Sequence, residues 1–265
     1  MPVKKDASGR RFVEASVEVP GTPEQVWQAI ATGPGISSWF VPAEVEERVG
    51  GTARLNFGPG MESISTVTRW DPPRRVELDS RDMGPHGPTI ATEWTVEARS
   101  GDTCVVRVVH SWFTDGDAWD RQFEGHEQGW VAFFRILRLS LAHFAGQPSA
   151  SFQVMSMVPG ETVAAWQSLT SALGLSGAAE GQRVRSAHGQ PRLGGVVERV
   201  GTDQYPELLL RLDTPGPGIA HLFAMPMGGN VALPIRFFLF GGEAELTVEM
   251  ERPMWETWMA GRAAS

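Results

Sequence analysis

One short sequence occurs twice in this chain, and each copy precedes a segment whose pattern predicts a helix. The tripeptide Val-Pro-Gly stands at residues 19–21 and again at 158–160, and Trp-Gln follows both copies at the same spacing, beginning at Trp27 and Trp166. An apolar run typical of a β-strand leads into each tripeptide. The repetition predicts a tandem arrangement of one ancestral unit, with a first domain over 1–147 and a second over 148–265.

Composition and charge restrict the class of protein. The chain has 265 residues, enough for two domains of ordinary size, and its 42% hydrophobic residues indicate a globular protein. The net charge of −8 disfavours nucleic-acid binding, because the protein repels phosphates. No apolar run reaches the ~18 residues of a membrane span, and the single cysteine, Cys104, excludes an intramolecular disulfide. We therefore expect a soluble, cytoplasmic protein.

The first half of the chain begins with a strand and two short helices. Apolar and polar residues alternate over 11–19, which predicts a half-buried strand. Thr22 is a typical N-cap for the helix that follows. We expect Gly-Pro-Gly at 33–35 to stop this helix, and a second short helix over 36–40 to end in two exposed aromatic side chains.

An antiparallel meander and a long helix follow. Turn residues separate runs of strand length between residues 43 and 113, which predicts five or six strands. In the last two strands, alternation places Trp94 and His110 on one face. Over 115–145 the apolar residues recur at helical spacing, which predicts an amphipathic helix of about 25 residues that can lie across a whole sheet. This order of elements predicts an α+β fold.

Several motifs in this half match one known family in order and spacing. They are residues 19–27, the pair Trp39 and Phe40, Gly-Gly-Thr at 50–52, and His-Glu-Gln-Gly-Trp at 126–130. With them the sequence resembles the START-like, or SRPBCC, superfamily, most closely the group named after the C-terminal domain of the Hsp90 ATPase activator. The resemblance spans roughly 11–145. It implies the helix-grip fold, in which a curved antiparallel sheet holds a long C-terminal helix and leaves a cavity between them.

The resemblance implies that inward side chains of the sheet and helix line this cavity. The candidate ligand-binding residues are Trp39, Phe40, Phe57, Trp94, Val108, His110, Trp112, Trp130, Phe134 and Leu137. Further inward positions are expected at Leu55, Ile64, Val76, Leu78 and Val106. Taken singly, each of these residues is more simply explained as core packing, and the resemblance is what favours a pocket. Such a lining suits a small apolar or aromatic molecule.

His110 is the one candidate for acid–base chemistry. Val108 and Trp112, its neighbours on the same strand face, are apolar, so the imidazole could hold a ligand hydroxyl or act as a base. A neutral, hydrogen-bonded core histidine is the simpler interpretation. His86, His126 and His143 lack the spacing of a metal site, and Cys104 has no thiol companion. We expect no metal and no cofactor.

The second half has the same opening and a different ending. Residues 152–158 are strand-like, residues 161–173 predict a helix, and residues 225–229 predict a turn. Further strands are expected at 195–200, 208–212, 219–225, 231–240 and 243–250. The remaining 251–265 predict a final helix too short to cross a sheet, so the second copy is expected to be degenerate. Its uncovered sheet face would lie on the first domain or on a partner, which leaves a homodimer possible.

Three functions fit these expectations. The first is a binding module that sequesters a small hydrophobic molecule, with the second domain as a scaffold or lid. The second is an enzyme similar to the aromatic polyketide cyclases or dehydratases of the superfamily; it would use His110, and the sequence offers no clear second polar group. The third is an Hsp90 co-chaperone, as the family name implies. In that family the activator also relies on a separate N-terminal domain, which residues 1–10 cannot replace.

Overall fold

The chain forms two compact units, Met1–Gly146 and Gln147–Ser265, which we call the first and second units. Each contains one antiparallel sheet and a long C-terminal helix, so the predicted α+β fold class is confirmed. None of the described helices is long and apolar enough to cross a membrane. The residues that the computed structural model describes are 3–7, 9–58, 61–81, 89–112 and 126–263.

The described part of the first unit consists of eight strands and three helices. The strands are β1 (Lys4–Lys5), β2 (Arg11–Pro20), β3 (Ala43–Val45), β4 (Thr52–Asn56), β5 (Glu62–Asp71), β6 (Arg75–Ser80), β7 (Ile90–Ala98) and β8 (Thr103–Trp112). The helices are α1 (Pro23–Ala31), α2 (Gly33–Ser37) and α3 (His126–Phe144). The strand order is β1-β2-β8-β7-β6-β5-β4-β3, so the first long strand lies beside the last one.

Hydroxyl caps fix the starts of α1 and α2. The Thr22 hydroxyl accepts a hydrogen bond from the backbone N–H of Gln25, whose side chain accepts one from the N–H of Thr22. Helix α1 ends at Ala31, just before residues 33–35, as predicted, but the second helix begins at Gly33 and not at residue 36. The Thr32 hydroxyl accepts a hydrogen bond from the N–H of Gly35 and so caps the start of this second helix.

The register of β7 and β8 follows the predicted alternation. Thr92 lies opposite His110, so both side chains are on the same face of the sheet. Glu93 lies on the other face, as predicted, where its carboxylate forms ion pairs with Arg75 and, at 3.7 Å, with Arg107. The sheet therefore has one charged face and one largely apolar face.

Helix α3 packs against β2 and α1 through its predicted apolar stripe. The buried side chains of the stripe are Trp130, Phe134, Leu137, Leu141 and Phe144. Of the helix expected over 115–145, residues 115–125, including Phe123, lie outside the described residues. The described helix is long enough to place the stripe over several strands, because 19 residues span about 28 Å.

The second unit repeats the strand order of the first. Its strands are β9 (Ser149–Pro159), β10 (Arg183–Arg185), β11 (Gly194–Thr202), β12 (Tyr205–Thr214), β13 (Gly218–Phe223), β14 (Met225–Met227) and β15 (Asn230–Phe240), and its helices are α4 (Thr162–Leu173) and α5 (Ala244–Ala263). The order β9-β15-β13-β12-β11-β10 corresponds to β2-β8-β7-β6-β5-β4. In both units the last long strand pairs with the first one.

The prediction of a strand over 243–250 and of a shortened final helix is wrong. Helix α5 begins at Ala244, runs for 20 residues and packs against β9 and β15. Its buried face includes Ala244, Glu251, Trp255 and Met259, at helical spacing. The carboxylate of Glu251 forms an ion pair with Arg192, and this polar residue interrupts the apolar period in the sequence.

The expected turn at residues 225–229 is also wrong in part. Met225 to Met227 form β14, which pairs with the start of β15. Only Gly228 and Gly229 form the turn, with φ angles of 57° and 82° that glycine adopts without strain. Residues 225–229 therefore form a short strand followed by the turn of a hairpin.

Candidate ligand-binding site

A cavity of about 610 Å³ lies in the first unit, between the sheet and the helices. Strands β3 to β8 supply one side, and the other side comes from α1, α2, the residues after α2, and the start of α3. Apolar side chains line most of it. Ligand sites of known proteins have volumes of about 300–1,000 Å³, so the cavity can hold a small molecule.

Aromatic rings form the main wall of the cavity. Phe40 stacks on Trp130 with ring centroids 5.3 Å apart, and it meets Phe133 edge-on at 4.3 Å and Phe57 edge-on at 5.6 Å. Trp94 meets Trp130 edge-on at 5.2 Å. Edge-to-face and offset contacts of this kind are favourable. The rings therefore support one another and present aromatic faces to the cavity.

Trp39 was predicted to be exposed, and the structure shows the reverse. Its side chain is only 1% exposed, and its indole N–H donates a hydrogen bond to the carbonyl of Ala29 at 2.9 Å. This bond attaches the segment after α2 to α1. Because the indole is amphipathic, the same side chain fills the core and lines the cavity. The following residue, Phe40, is half-buried.

The Thr92–His110 pair is the most specific polar feature of the cavity. The Thr92 hydroxyl and Nδ1 of His110 are 2.9 Å apart, and the imidazole ring stacks on Trp130 with centroids 5.4 Å apart. Both residues line the cavity. A threonine hydroxyl on one ring nitrogen holds the imidazole in a fixed orientation. The pair can hydrogen-bond a ligand or move a proton.

Three serine side chains line the cavity beside this pair, at positions that were not predicted from the sequence. Ser63 and Ser65 lie on β5, and Ser80 lies on β6. The sequence pattern favoured Ile64 as the inward residue, but Ile64 is 45% exposed on the opposite face. The signal that could have identified the serines is their pairing with apolar positions of β4, since Leu55 lies opposite Ser63.

The ten candidate residues divide into two groups. Trp39, Phe40, Phe57, Trp94, His110 and Trp130 line the cavity, as do Leu55, Val76 and Leu78 among the further inward positions.

The other candidates are buried and do not line this cavity: Val106, Val108, Trp112, Phe134 and Leu137. Trp112 packs with Val13 and Ile90. Phe134 and Leu137 lie further along α3, on the part of the helix that packs against β2. These side chains support the site as core residues.

Ionised groups are few around the cavity. Glu62 is the only carboxylate among the described lining residues, and no lysine or arginine is among them. The Glu62 side chain is 52% exposed and lies 3.8 Å from Arg54, so it belongs to the rim. Within the described ranges no cluster of His, Cys, Asp or Glu side chains could hold a metal ion. His143 lies in the last turn of α3 and is exposed, while His86 and the His126 side chain lie outside the described residues.

A second hollow of similar volume lies between β2 and α3 and has a different character. Lys4, Arg107 and Arg138 line it together with Glu14. Hydrogen bonds from Lys4 and Arg107 hold the pKa of the Glu14 carboxyl below its usual value. Because its polar groups already form ion pairs, this hollow suits an apolar ligand less well than the aromatic cavity does.

Comparisons with known proteins concern mainly the first unit. Residues 20–142 match the profile of the family described as Activator of Hsp90 ATPase homolog 1-like protein. A search of curated proteins finds no match.

Solved structures similar to the chain include two that it covers almost completely. DynU16, from the dynemicin biosynthetic locus, is 18% identical, with 94% of this chain and 95% of that chain covered and a TM-score of 0.43. The di-domain ARO/CYC BexL, from the BE-7585A biosynthetic pathway, is 14% identical, with 96% and 95% covered and a TM-score of 0.47. The Aha1 dimer from Colwellia psychrerythraea is 21% identical, with 49% and 95% covered and a TM-score of 0.41.

Proposed function

We infer that the first unit binds a small hydrophobic or aromatic molecule. Residues 20–142 of this unit match the profile of the Activator of Hsp90 ATPase homolog 1-like family. The observation that supports this most is the cavity of about 610 Å³ with its wall of aromatic rings. A domain that needed only a packed core would fill this space, because protein interiors are close-packed.

Apolar burial supplies most of the binding free energy in this proposal. Burial of about 200 Å² of apolar ligand surface contributes about 5 kcal/mol at ~25 cal/mol per Å², before the ordering costs of association. Trp94, Trp130 and Trp39 lie at the cavity. Their fluorescence should therefore change when a ligand enters.

The test is a fluorescence titration of the protein with a panel of sterols, fatty acids and aromatic compounds. Phe133→Ala removes a ring from the cavity wall and should weaken binding of a ligand from the panel about tenfold, since partial loss of one aromatic contact costs about 1.4 kcal/mol. Phe12→Ala is the matched control, because Phe12 is also half-buried in the first unit and does not line the cavity. The Phe12→Ala variant should bind the ligand with the same affinity as the unchanged protein.

Two results would refute the binding proposal. One is the absence of any fluorescence change or thermal stabilisation across the whole panel. The other is an equal loss of affinity in the Phe133→Ala and Phe12→Ala variants, because this would place the ligand outside the aromatic cavity.

A cyclase- or dehydratase-like enzyme is the second candidate, and the Thr92–His110 pair favours it. A histidine held at Nδ1 and stacked on Trp130 is suitably placed for proton transfer. Chemistry of this kind would convert the bound compound, whereas a carrier would release it unchanged. Mass analysis of the ligand after incubation distinguishes the two, and His110→Ala should abolish any conversion without unfolding the protein.

A co-chaperone function, as the family description suggests, is the third candidate. It predicts that the chain binds Hsp90 at micromolar concentration and raises its ATPase rate. Unchanged ATPase activity at that concentration would exclude it.

The second unit serves, in this proposal, as a scaffold that arose by duplication of the first. Its strand order is the same, and the space between its sheet and α5 contains packed aromatic rings. Phe152 stacks on Phe237 with centroids 4.6 Å apart, and Phe237 lies 5.0 Å from Trp255.

A further inference from the structure

We propose that the ligand is uncharged and carries hydrogen-bonding groups at more than one point along its length. This inference rests on the proposed binding function and defines the chemical class of the ligand. It follows from the arrangement of polar side chains on the sheet side of the cavity, opposite the aromatic wall.

These polar side chains form a diagonal band across four neighbouring strands, in which Leu78 lies opposite Thr92 and Ile90 lies opposite Ser80. His110 lies on β8, Thr92 on β7, Ser80 on β6, and Ser63 and Ser65 on β5. Thr92 lies opposite His110, and Ser65 lies opposite Ser80. Neighbouring strands are about 4.8 Å apart, so the band extends over about 14 Å. A ligand that lies across the sheet meets polar groups near both of its ends and the apolar side chains of Leu78 and Ile90 between them.

The hydroxyls of Ser65 and Ser80 are the part of the band that most needs a partner. Both line the cavity, and neither forms a hydrogen bond to another residue in the part of the chain that the structure describes. Without a ligand, water can satisfy them. A purely apolar ligand would displace this water and leave both hydroxyls unpaired, which is unfavourable. A ligand with its own hydroxyl or carbonyl group at this end replaces the lost bonds.

The described lining residues offer little charge to balance an ionised ligand. Glu62, on the rim, is the only carboxylate among the described lining residues, and they include no lysine or arginine. A ligand carboxylate or ammonium group inside the cavity would lose its hydration without a facing charge of opposite sign, which is costly. The band therefore selects a neutral molecule with polar groups at both ends over a fatty acid with one charged end.

A matched series of rigid compounds tests whether the cavity prefers a neutral ligand with polar groups at both ends. Biphenyl, 4-hydroxybiphenyl, 4,4′-dihydroxybiphenyl and biphenyl-4,4′-dicarboxylate have the same core and differ in their ends. The dihydroxy compound should bind about tenfold more tightly than biphenyl, because each hydrogen bond to a neutral group contributes a factor of about three or more. The dicarboxylate should not bind.

The double variant Ser65→Ala/Ser80→Ala should remove the advantage of the second hydroxyl. It should bind the dihydroxy and monohydroxy compounds equally, while its affinity for biphenyl is unchanged or higher. Ser16→Ala is the matched control, because Ser16 is an exposed serine of β2 outside the cavity lining. It should keep the full preference for the dihydroxy compound.

The outcomes separate this inference from the binding proposal. Equal binding of biphenyl and the dihydroxy compound, or an unchanged preference in the Ser65→Ala/Ser80→Ala variant, overturns the inference and leaves the binding proposal standing. Binding of panel compounds but of none of the four biphenyls also overturns it. If neither the four biphenyls nor any compound of the panel binds, both the inference and the binding proposal are refuted.

Discussion

Cys104 shows how burial controls the chemistry of a single residue. Its side chain is fully buried on β8, and Sγ lies 3.3 Å from the carbonyl oxygen of Gly21. Burial disfavours the thiolate and raises the pKa of this thiol above its usual 9.0. The thiol is therefore unreactive in the folded protein.

We predict that Cys104 does not react with Ellman's reagent at pH 8 until the protein unfolds. The measurement is the release of the coloured thiolate with and without urea, and Cys104→Ala serves as the blank. Above pH 9 the unfolded thiol ionises while the folded one keeps its proton, so the stability of the fold should decrease as pH rises through this range. Rapid reaction of the native protein would contradict the buried position.

The sequence predicts which strand face some cavity side chains lie on, but it does not predict this for others. His110 is predicted to face inward because its neighbours on the same face of β8, Val108 and Trp112, are apolar. Ser63 and Ser65 alternate with Glu62 and Ile64, and this pattern does not show which set faces the helix. Only the pairing of β5 with β4 determines which set faces the helix.

At the scale of elements, the two units begin their first long helices differently. Helix α1 has a complete capping box between Thr22 and Gln25. The N-cap of α4 is Glu161, whose side chain makes no capping hydrogen bond. The two helices follow the same Val-Pro-Gly sequence, so they form a natural matched pair.

Thr22→Ala should lower the free energy of unfolding of the first unit by about 1 kcal/mol, because the N–H of Gln25 loses its acceptor. Glu161→Ala, the control, should change stability by much less. The measurement is the urea midpoint of each variant. Equal effects of the two substitutions would show that the capping box adds nothing to the stability of α1.

Sequence patterns predicted most elements and failed where a polar residue interrupts an apolar face. The strands and α3 follow from alternation and helical spacing. The first part of helix α5 was missed because its buried face includes Glu251, whose charge is balanced by Arg192 from a distant segment. No local pattern contains such a partner.

At the scale of the whole molecule, the repeated tripeptide occupies the same place in each unit. Each copy joins the first long strand to the helix after it, and Gly21 and Gly160 adopt similar positive φ angles of 121° and 111°. The repeat therefore marks the same strand-to-helix connection in both units. The sequence could not predict the cavity, because the cavity depends on side chains that six strands and three helices bring together.

The number of ligands bound by the full chain tests the central claim most directly. Native mass spectrometry of the full chain with a binding compound from the panel should show one ligand per chain, retained by Phe12→Ala and weakened by Phe133→Ala. A chain that binds no compound, or that binds one with the same affinity when Phe133 is replaced by alanine, would contradict the claim that the aromatic cavity of the first unit is a ligand site.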